Sequence, residues 1–441
     1  MVIKNDILDE IIQAKEKNQP KGIVSLCTSH PTVLKAAMQY AKKKGTSILV
    51  ESTCNQVNQY GGYTGLTPAD FVDFMQEIAQ KNGVSSEQLL LGGDHLGPNV
   101  WQGESSESAM AKSCQLVRDY VSAGYRKIHL DASMKLGGDD LSIPLPKEIA
   151  CARTADLARV AEQAWEDCCQ GSEPRYVIGS EVPIPGGSME HEDRIAITTA
   201  ESARETIEMT KQAFYQRGLE QAWERVVALV VQPGIEFGDD FIAEYQPEAA
   251  RELVHFIKGY NLIYEAHSTD YQTRQGLANL VNDHFAILKV GPWLTFAFRE
   301  AVFALARIEN DLQSLIRAFD RSHLLDILDD VMVNSPDYWA KYYSGNEYDL
   351  HFARKYSFSD RSRYYWSNSK VKTSLQKLLQ NLSKNPIPLS LLSQYMPIQY
   401  EHVRNGELIN SPEPIILDKI TEVLDIYAEA CKVKRELPLD N

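Results

Sequence analysis

The sequence predicts an α/β protein, a (β/α)8 barrel (TIM barrel) carrying a helical C-terminal extension. Three observations support this. Short, nearly continuous apolar runs recur through the first two thirds of the chain, a helical pattern follows each, and the runs turn polar at their C-terminal ends. A parallel strand covered on both faces reads as such a run, and strand alternating with helix eight times over is the pattern of a closed barrel.

In chain order the predicted strands are Gly22–Thr28, Ser47–Ser52, Leu89–His95, Lys127–Ser133, Tyr176–Val182, Ala228–Gly234, Leu262–Ser268 and Ala286–Pro292. The intervening helices are expected at Pro31–Lys44, Pro68–Lys81, Ser105–Ala123, Lys147–Gln170, Glu201–Trp223, Pro247–Tyr260, Tyr271–Val281 and Leu294–Ile308. Thr67-Pro68 is a good helix start, an N-cap hydroxyl followed by a proline in the first turn. An open doubly wound sheet is the alternative, but no GxGxxG follows the first strand. The barrel with its N-terminal amphipathic helix is assigned to residues 1–309 and the helical extension to 310–441.

The 441 residues suit a barrel of ~250 residues plus an addition. A net charge of −15 disfavours non-specific binding to nucleic acid or an anionic membrane, though a local basic pocket can still take an anion. No apolar stretch approaches the ~20 residues that span a bilayer, and the N-terminus does not read as a signal peptide. The seven scattered cysteines include no CxxC pair, so free thiols and a cytoplasmic location are expected. No GxxxxGK[ST] motif occurs, and no nucleotide cofactor is expected.

A barrel builds its active site at the C-terminal ends of its strands. There the sequence places Glu51, Asp94, His95, Asp131, Glu181, Gln232, Glu265, His267 and Lys289. Gly92-Gly93-Asp94-His95 is the strongest group, since the glycines let backbone approach closely. His95 and His267, on separate strands, can hold a divalent metal, zinc above all, with Glu181 or Asp131 as oxygen ligands. Such a metal acts as a Lewis acid on a carbonyl, with Asp94 as the adjacent acid or base. The competing reading is that the two imidazoles only hydrogen-bond within a polar mouth. Lys289 reads as a phosphate anchor or an ion-pair partner of Glu265 or Glu181 before it reads as a Schiff base. Ser29 after strand one and the amide-rich loop of Asn55 and Asn58 after strand two suit sugar hydroxyls, or only tie down the barrel rim, and Gln232, Glu265 and Asp270 are further substrate-binding candidates. The basic aromatic stretch Arg354–Trp366 reaches a phosphate or a partner subunit, or is a solvated helix with a packed face.

ESTCNQVNQYGGYTGLTPADF, LGGDHLGPNVWQ, KIHLDASM, YVIGSEVPIPGG, VVQPGIEF, YEAHSTDYQT and AILKVGPWLTFAFREAVFALA resemble the Z-type subunit of class II tagatose-1,6-bisphosphate aldolase, the GatZ/KbaZ family. KYSFSDRSRYYW and IPLSLLSQYMPIQY extend the resemblance past residue 425. It implies a role in galactitol or N-acetylgalactosamine and D-tagatose 6-phosphate catabolism, in an oligomer with a Y-type catalytic subunit that carries the zinc chemistry. The Z-type subunit is regarded as supporting the activity and stability of that partner. The resemblance also implies that Asp94 and His95 match the Asp-His pair of catalytic class II aldolases, Asp131 an acidic motif, Glu181 a strand-five glutamate and His267 the last zinc histidine. It breaks at strand six, where Gln232 stands in place of the middle histidine, and at the glycine-rich phosphate loops, replaced by PGIEFGDD and STDYQT. An amide is a poor zinc ligand, so weakened aldolase chemistry is expected. Two further readings stand beside the accessory one. The first is a metal-dependent ketose 4-epimerase or aldolase working by retro-aldol cleavage. The second is a barrel that binds a sugar or sugar phosphate without turning it over.

Overall fold

The computed structural model describes residues 7–140, 142–168, 172–179, 195–315 and 320–433. Eight parallel strands close into a barrel. They are β1 (Ile23–Leu26), β2 (Ile48–Thr53), β3 (Leu89–Leu96), β4 (Lys127–Leu130), β5 (Arg175–Ile178), β6 (Val226–Val230), β7 (Ile263–Ala266) and β8 (Phe285–Val290). β8 pairs with β1 to close the ring, so no sheet edge is left open. A two-residue antiparallel ribbon, Glu236–Phe237 with Ile242–Ala243, decorates the loop after β6.

The helices follow the predicted order. Pro31–Lys44 has the predicted limits and ends on Gly45 in the left-handed region, which satisfies its last carbonyls. Pro68–Asn82 opens with a full capping box between Thr67 and Asp70. The predicted helix at Glu201–Trp223 is two segments, Ala200–Tyr215 and Glu220–Trp223, because Gly218 at φ 68° breaks the run. The last barrel helix, Pro292–Leu315, runs without a break through residue 310, and shorter helices follow it. The final helix, Pro412–Ala430, returns to the barrel, where the Tyr427 hydroxyl lies 2.9 Å from Thr269 Oγ1 just after β7.

The barrel interior has two levels. Its lower level is apolar: Ile23, Leu49, Leu90, Val177, Val227, Ile263 and Ile287 form one cluster with Leu8 and Ile11. The last two come from the N-terminal helix Ile7–Glu16, which plugs the bottom of the barrel. Lys15 fixes that plug by donating from Nζ to the carbonyls of Ile257, Tyr260 and Leu262.

The upper level is ionic, and strand register builds it. Ser25 pairs with Lys289, Glu51 with Gly92, and Gly92 with Lys127. Gly92 is required there, because a Cβ would sit 2.7 Å from the Glu51 Cγ. Replacing Gly92 by Ala should therefore overpack this level and destabilise the fold by about 1–3 kcal/mol. Urea unfolding measures this, and an unchanged midpoint would mean that Glu51 moves aside without loss.

Candidate active site

The ionic level forms the floor of the site. Lys127 is fully buried, with Nζ 2.6 Å from Glu51 Oε1 and 2.7 Å from Glu265 Oε2. These are close ion pairs that lack the alignment of hydrogen bonds. Glu51 also accepts from the Ser25 hydroxyl at 2.6 Å. Lys289 Nζ lies 3.5 Å from Glu51 and 3.7 Å from Glu265 and ion-pairs directly with Asp94. Burial alone would neutralise all of these groups. For Glu265 the Lys127 and Lys289 ammonium groups outweigh burial and hold the carboxyl well below its usual range. For Lys289 the carboxylates, Asp94 foremost, outweigh burial and hold the ammonium well above its own.

Above this floor stand three imidazoles. His95, His129 and His267 approach one another with ring centroids 4.9, 5.0 and 5.6 Å apart. With Asp94 they form a group in which one ligand atom from each residue lies within 4.8 Å of the others. The local backbone makes this possible. β3 slips register against β4 between Gly93 and Leu96, and His95 sits at φ 47° in that bulge. The bulge turns two consecutive side chains, Asp94 and His95, toward one site, which a regular strand cannot do. Ser268 after His267 is likewise left-handed, at φ 53°.

Each imidazole has one ring nitrogen held by a fixed acceptor. His95 Nδ1 is 2.8 Å from Asp131 Oδ2, His267 Nε2 is 2.9 Å from Glu265 Oε1, and His129 Nε2 is 2.9 Å from the Gly179 carbonyl. A carbonyl can only accept, so His129 donates from Nε2. His95 and His267 are oriented as metal-binding histidines are, each with its outer nitrogen on a carboxylate, whereas the inner nitrogen of His129, Nδ1, accepts the His95 backbone N–H at 3.2 Å and lies 2.8 Å from Asp94 Oδ1. Burial and the neighbouring Lys289 charge push His267 down to about 3, so it is a neutral imidazole at physiological pH. Burial also disfavours the charged form of His95, but Asp94 and Asp131 outweigh it and raise its pKa. Asp94 is buried too, yet the charges of His95 and Lys289 outweigh burial and hold its carboxyl well below the usual carboxylate range. The donor set fits a divalent metal, with three imidazoles and one carboxylate as candidate ligands.

The sequence-predicted residues divide into those gathered here and those used elsewhere. Asp94, His95, Asp131, Glu265, His267 and Lys289 come together. Glu181 lies outside the described residues. Gln232 is committed to its own turn, its Oε1 accepting from the N–H groups of Gly234 and Ile235. Asn58 holds the loop after β2 by accepting from Tyr60 and Gly62 and donating to the Cys54 carbonyl. The Asn55 side chain is exposed on that loop, and Ser29 faces the Tyr63 hydroxyl. Asp270 accepts from the N–H groups of Gly291 and Trp293, where the last barrel helix begins.

Sequence reasoning missed His129, Lys127 and Glu236. Lys127, His129 and Asp131 alternate along β4, which places all three on the inner face. That period-two set of polar residues in an apolar run was the available signal. Glu236, in the loop after β6, is 1% exposed and leaves Oε2 without a hydrogen bond among the described residues. Burial raises its pKa to about 7.

A family model described as "D-tagatose-1,6-bisphosphate aldolase subunit GatZ/KbaZ-like" matches residues 8–432. The chain belongs to this family. It is 49% identical to the Escherichia coli K12 protein named D-tagatose-1,6-bisphosphate aldolase subunit GatZ, over 93% of this chain and 96% of that one. The protein of the same name from Shigella boydii serotype 18 is similar to the same degree. Among solved structures, a probable tagatose 6 phosphate kinase from Sinorhizobium meliloti 1021 superposes with a TM-score of 0.85 at 41% identity. That comparison covers 93% of this chain and all of the other. Family membership thus agrees with the resemblance read from the sequence, and the closed barrel agrees with the predicted fold class. Among the described residues, no helix is long and apolar enough to cross a membrane.

The Glu236 environment gives a test by pH. With its pKa raised from 4.5 to about 7, Glu236 contributes stability that is fully present below pH 4.5 and lost as pH rises through 7. Glu236→Gln removes that loss. The stability of the native protein relative to the variant should fall by roughly 3 kcal/mol between pH 4.5 and 8. Paired urea titrations across this range check it, and a flat difference would mean that Glu236 ionises normally.

Proposed function

We propose that this chain is an accessory subunit of D-tagatose-1,6-bisphosphate aldolase, acting in the cytoplasm to raise the activity and stability of a catalytic Y-type subunit in galactitol, N-acetylgalactosamine and D-tagatose 6-phosphate catabolism. The observation that carries this reading is the pairing of Asp94 with Lys289. A general acid or base must exchange a proton with the substrate. Asp94 instead faces the Lys289 ammonium and His95, whose charges keep it ionised inside the barrel. Gln232, held in its turn, supplies no imidazole from strand six. Relatives that match nearly end to end are named as subunits of this aldolase, which supports the same reading. The test is tagatose-1,6-bisphosphate cleavage by the catalytic subunit with and without this chain. Cleavage and thermal stability of the catalytic subunit should both rise in the mixture, while the chain alone is silent. Unchanged values in the mixture would refute the accessory role.

One observation favours a second reading, a metal-dependent ketose 4-epimerase or aldolase. His95 and His267 are oriented as metal ligands are, and His129 of β4 and Asp94 bring their ligand atoms within 4.8 Å of them. His95, His129, His267 and Asp94 would hold the ion, zinc fitting best. When bound, zinc would polarise a ketose carbonyl as a Lewis acid. Asp131 and Glu265 would keep the histidine tautomers fixed, and Lys289 would neutralise Asp94 as charge develops nearby. Under this reading the purified chain binds one zinc. His129→Ala should weaken binding by at least about a hundredfold, and Asp131→Asn by about 10–100-fold. Competition against a chelator measures both, and equal affinity in His129→Ala would remove His129 from the ligand set.

A further inference from the structure

The anion-binding position common at a barrel mouth, the N-terminus of the helix after strand eight, is already filled. Asp270 accepts from Gly291 and Trp293 N–H there, and a phosphate would meet its carboxylate. Positive charge has collected elsewhere at the same face. The segment Ser357–Trp366 of the C-terminal extension crosses toward the barrel loops, its Phe358 N–H bonding to the Asp239 carbonyl after β6. This segment carries Arg361 and Arg363. Arg363 is half-buried, with Tyr364 and Tyr63 beside it. Tyr63 in turn reaches Gln56 and Ser29, and the Arg363 charge acts on Asp270. Arg363 therefore lies among the loops that follow β1, β2 and β7.

Neither arginine makes an ion pair with a carboxylate among the described residues. Arg363 donates to the carbonyls of Ser359 and Asp360 and to the Tyr364 hydroxyl. Arg361 is 3% exposed, lies 3.2 Å over the Tyr342 ring, and its Nε has no hydrogen-bond partner among the described residues. The nearby carboxylate, Asp360, is taken by Arg299 at 3.4 Å and by the hydroxyls of Thr295 and Ser362. Asp360 therefore answers Arg299 first, Arg363 feels Asp360 and Asp270 without an ion pair to either, and Arg361 has no carboxylate against it among the described residues. Unpaired buried charge is costly, and a guanidinium fork matches the oxygens of a phosphate.

We infer that Arg363, backed by the charge of Arg361, is the receptor for the phosphate of a phosphorylated ketose at the barrel mouth. The inference rests on the proposed function only for the sugar part of that ligand. The phosphate lies against Arg363, and Tyr63 and Tyr364 wall it in. Arg361 lies behind, held by Tyr342, and raises the positive potential without touching the ligand. The C-terminal extension thereby takes over a task that loops after the late strands perform in many barrels.

The test is isothermal titration of the full chain with inorganic phosphate, a ketohexose phosphate and the free ketohexose. Both phosphorylated probes should bind, and the free sugar should bind at least tenfold more weakly than its phosphate. Arg363→Gln should weaken phosphate binding about 10–100-fold, the worth of one charged hydrogen-bonding group, and Arg361→Gln by less. Arg363→Lys keeps the charge, serves if the glutamine variant does not fold, and should lose several-fold through loss of the fork. Absence of phosphate binding by the native chain would overturn the inference. So would native affinity in the Arg363 variants, or a free sugar that binds as well as its phosphate. Phosphate binding that depends on Arg363, together with an unstimulated catalytic subunit, would keep this site and refute the accessory role. The opposite pair of results would do the reverse.

Discussion

The structure depends on a layer of buried charge across the middle of the barrel. Lys127, at no solvent exposure, sits between Glu51 and Glu265, and Lys289 joins both to Asp94. Removing an ion from water costs several kcal/mol, so each member is tolerable only while the others are present. An apolar layer of similar volume would serve stability at least as well. Its arrangement makes sense as support for what lies above it. Glu265 holds His267, and Asp94 faces both His95 and His129. Three carboxylates against two ammonium groups leave the floor of the imidazole cluster negative, which suits a cation above it.

The fold was legible because its signals are local and redundant. Each strand announces itself as an apolar run, and the helix starting at Pro68 carries its cap in Thr67 and Asp70. The split at Gly218 was missed because a helical apolar pattern continues across it, and only the glycine's backbone conformation interrupts the helix. The C-terminal extension gave no barrel pattern. Its return to the barrel through Tyr427 and Phe358 is a tertiary fact with no local signature.

The site was legible only in part, for a similar reason. Polar residues at strand ends stand out, so Asp94, His95, Asp131 and His267 were found. Lys127 and His129 lie further down β4 and were hidden in a run read as core, although they share the inward parity of Asp131. Conversely, Gln232, Asn58 and Asp270 stand in sequence where a ligand-facing polar residue is expected, and in the fold each accepts from backbone N–H groups. Sequence marks which side chains are polar at a strand end. It does not say whether a loop's unsatisfied N–H groups will claim them first.

That competition bears on what the barrel can do. The third imidazole of the cluster comes from β4, beside Asp94 and two residues beyond Lys127. There it is braced by the Gly179 carbonyl. Asp94 is then surrounded by His129, His95 and Lys289, and its ionisation is set by the protein more than by any substrate. A carboxylate held this firmly is a good ligand and a poor proton shuttle, because its pKa lies far from neutral pH. The same cluster therefore favours binding a cation and disfavours the proton transfers of aldol chemistry. If turnover does occur at this mouth, Asp94 cannot be its acid at neutral pH. Burial pushes two other carboxyls past strand ends upward, Asp270 to about 6 and Glu236 to about 7, so their ionisation, unlike that of Asp94, changes near neutral pH.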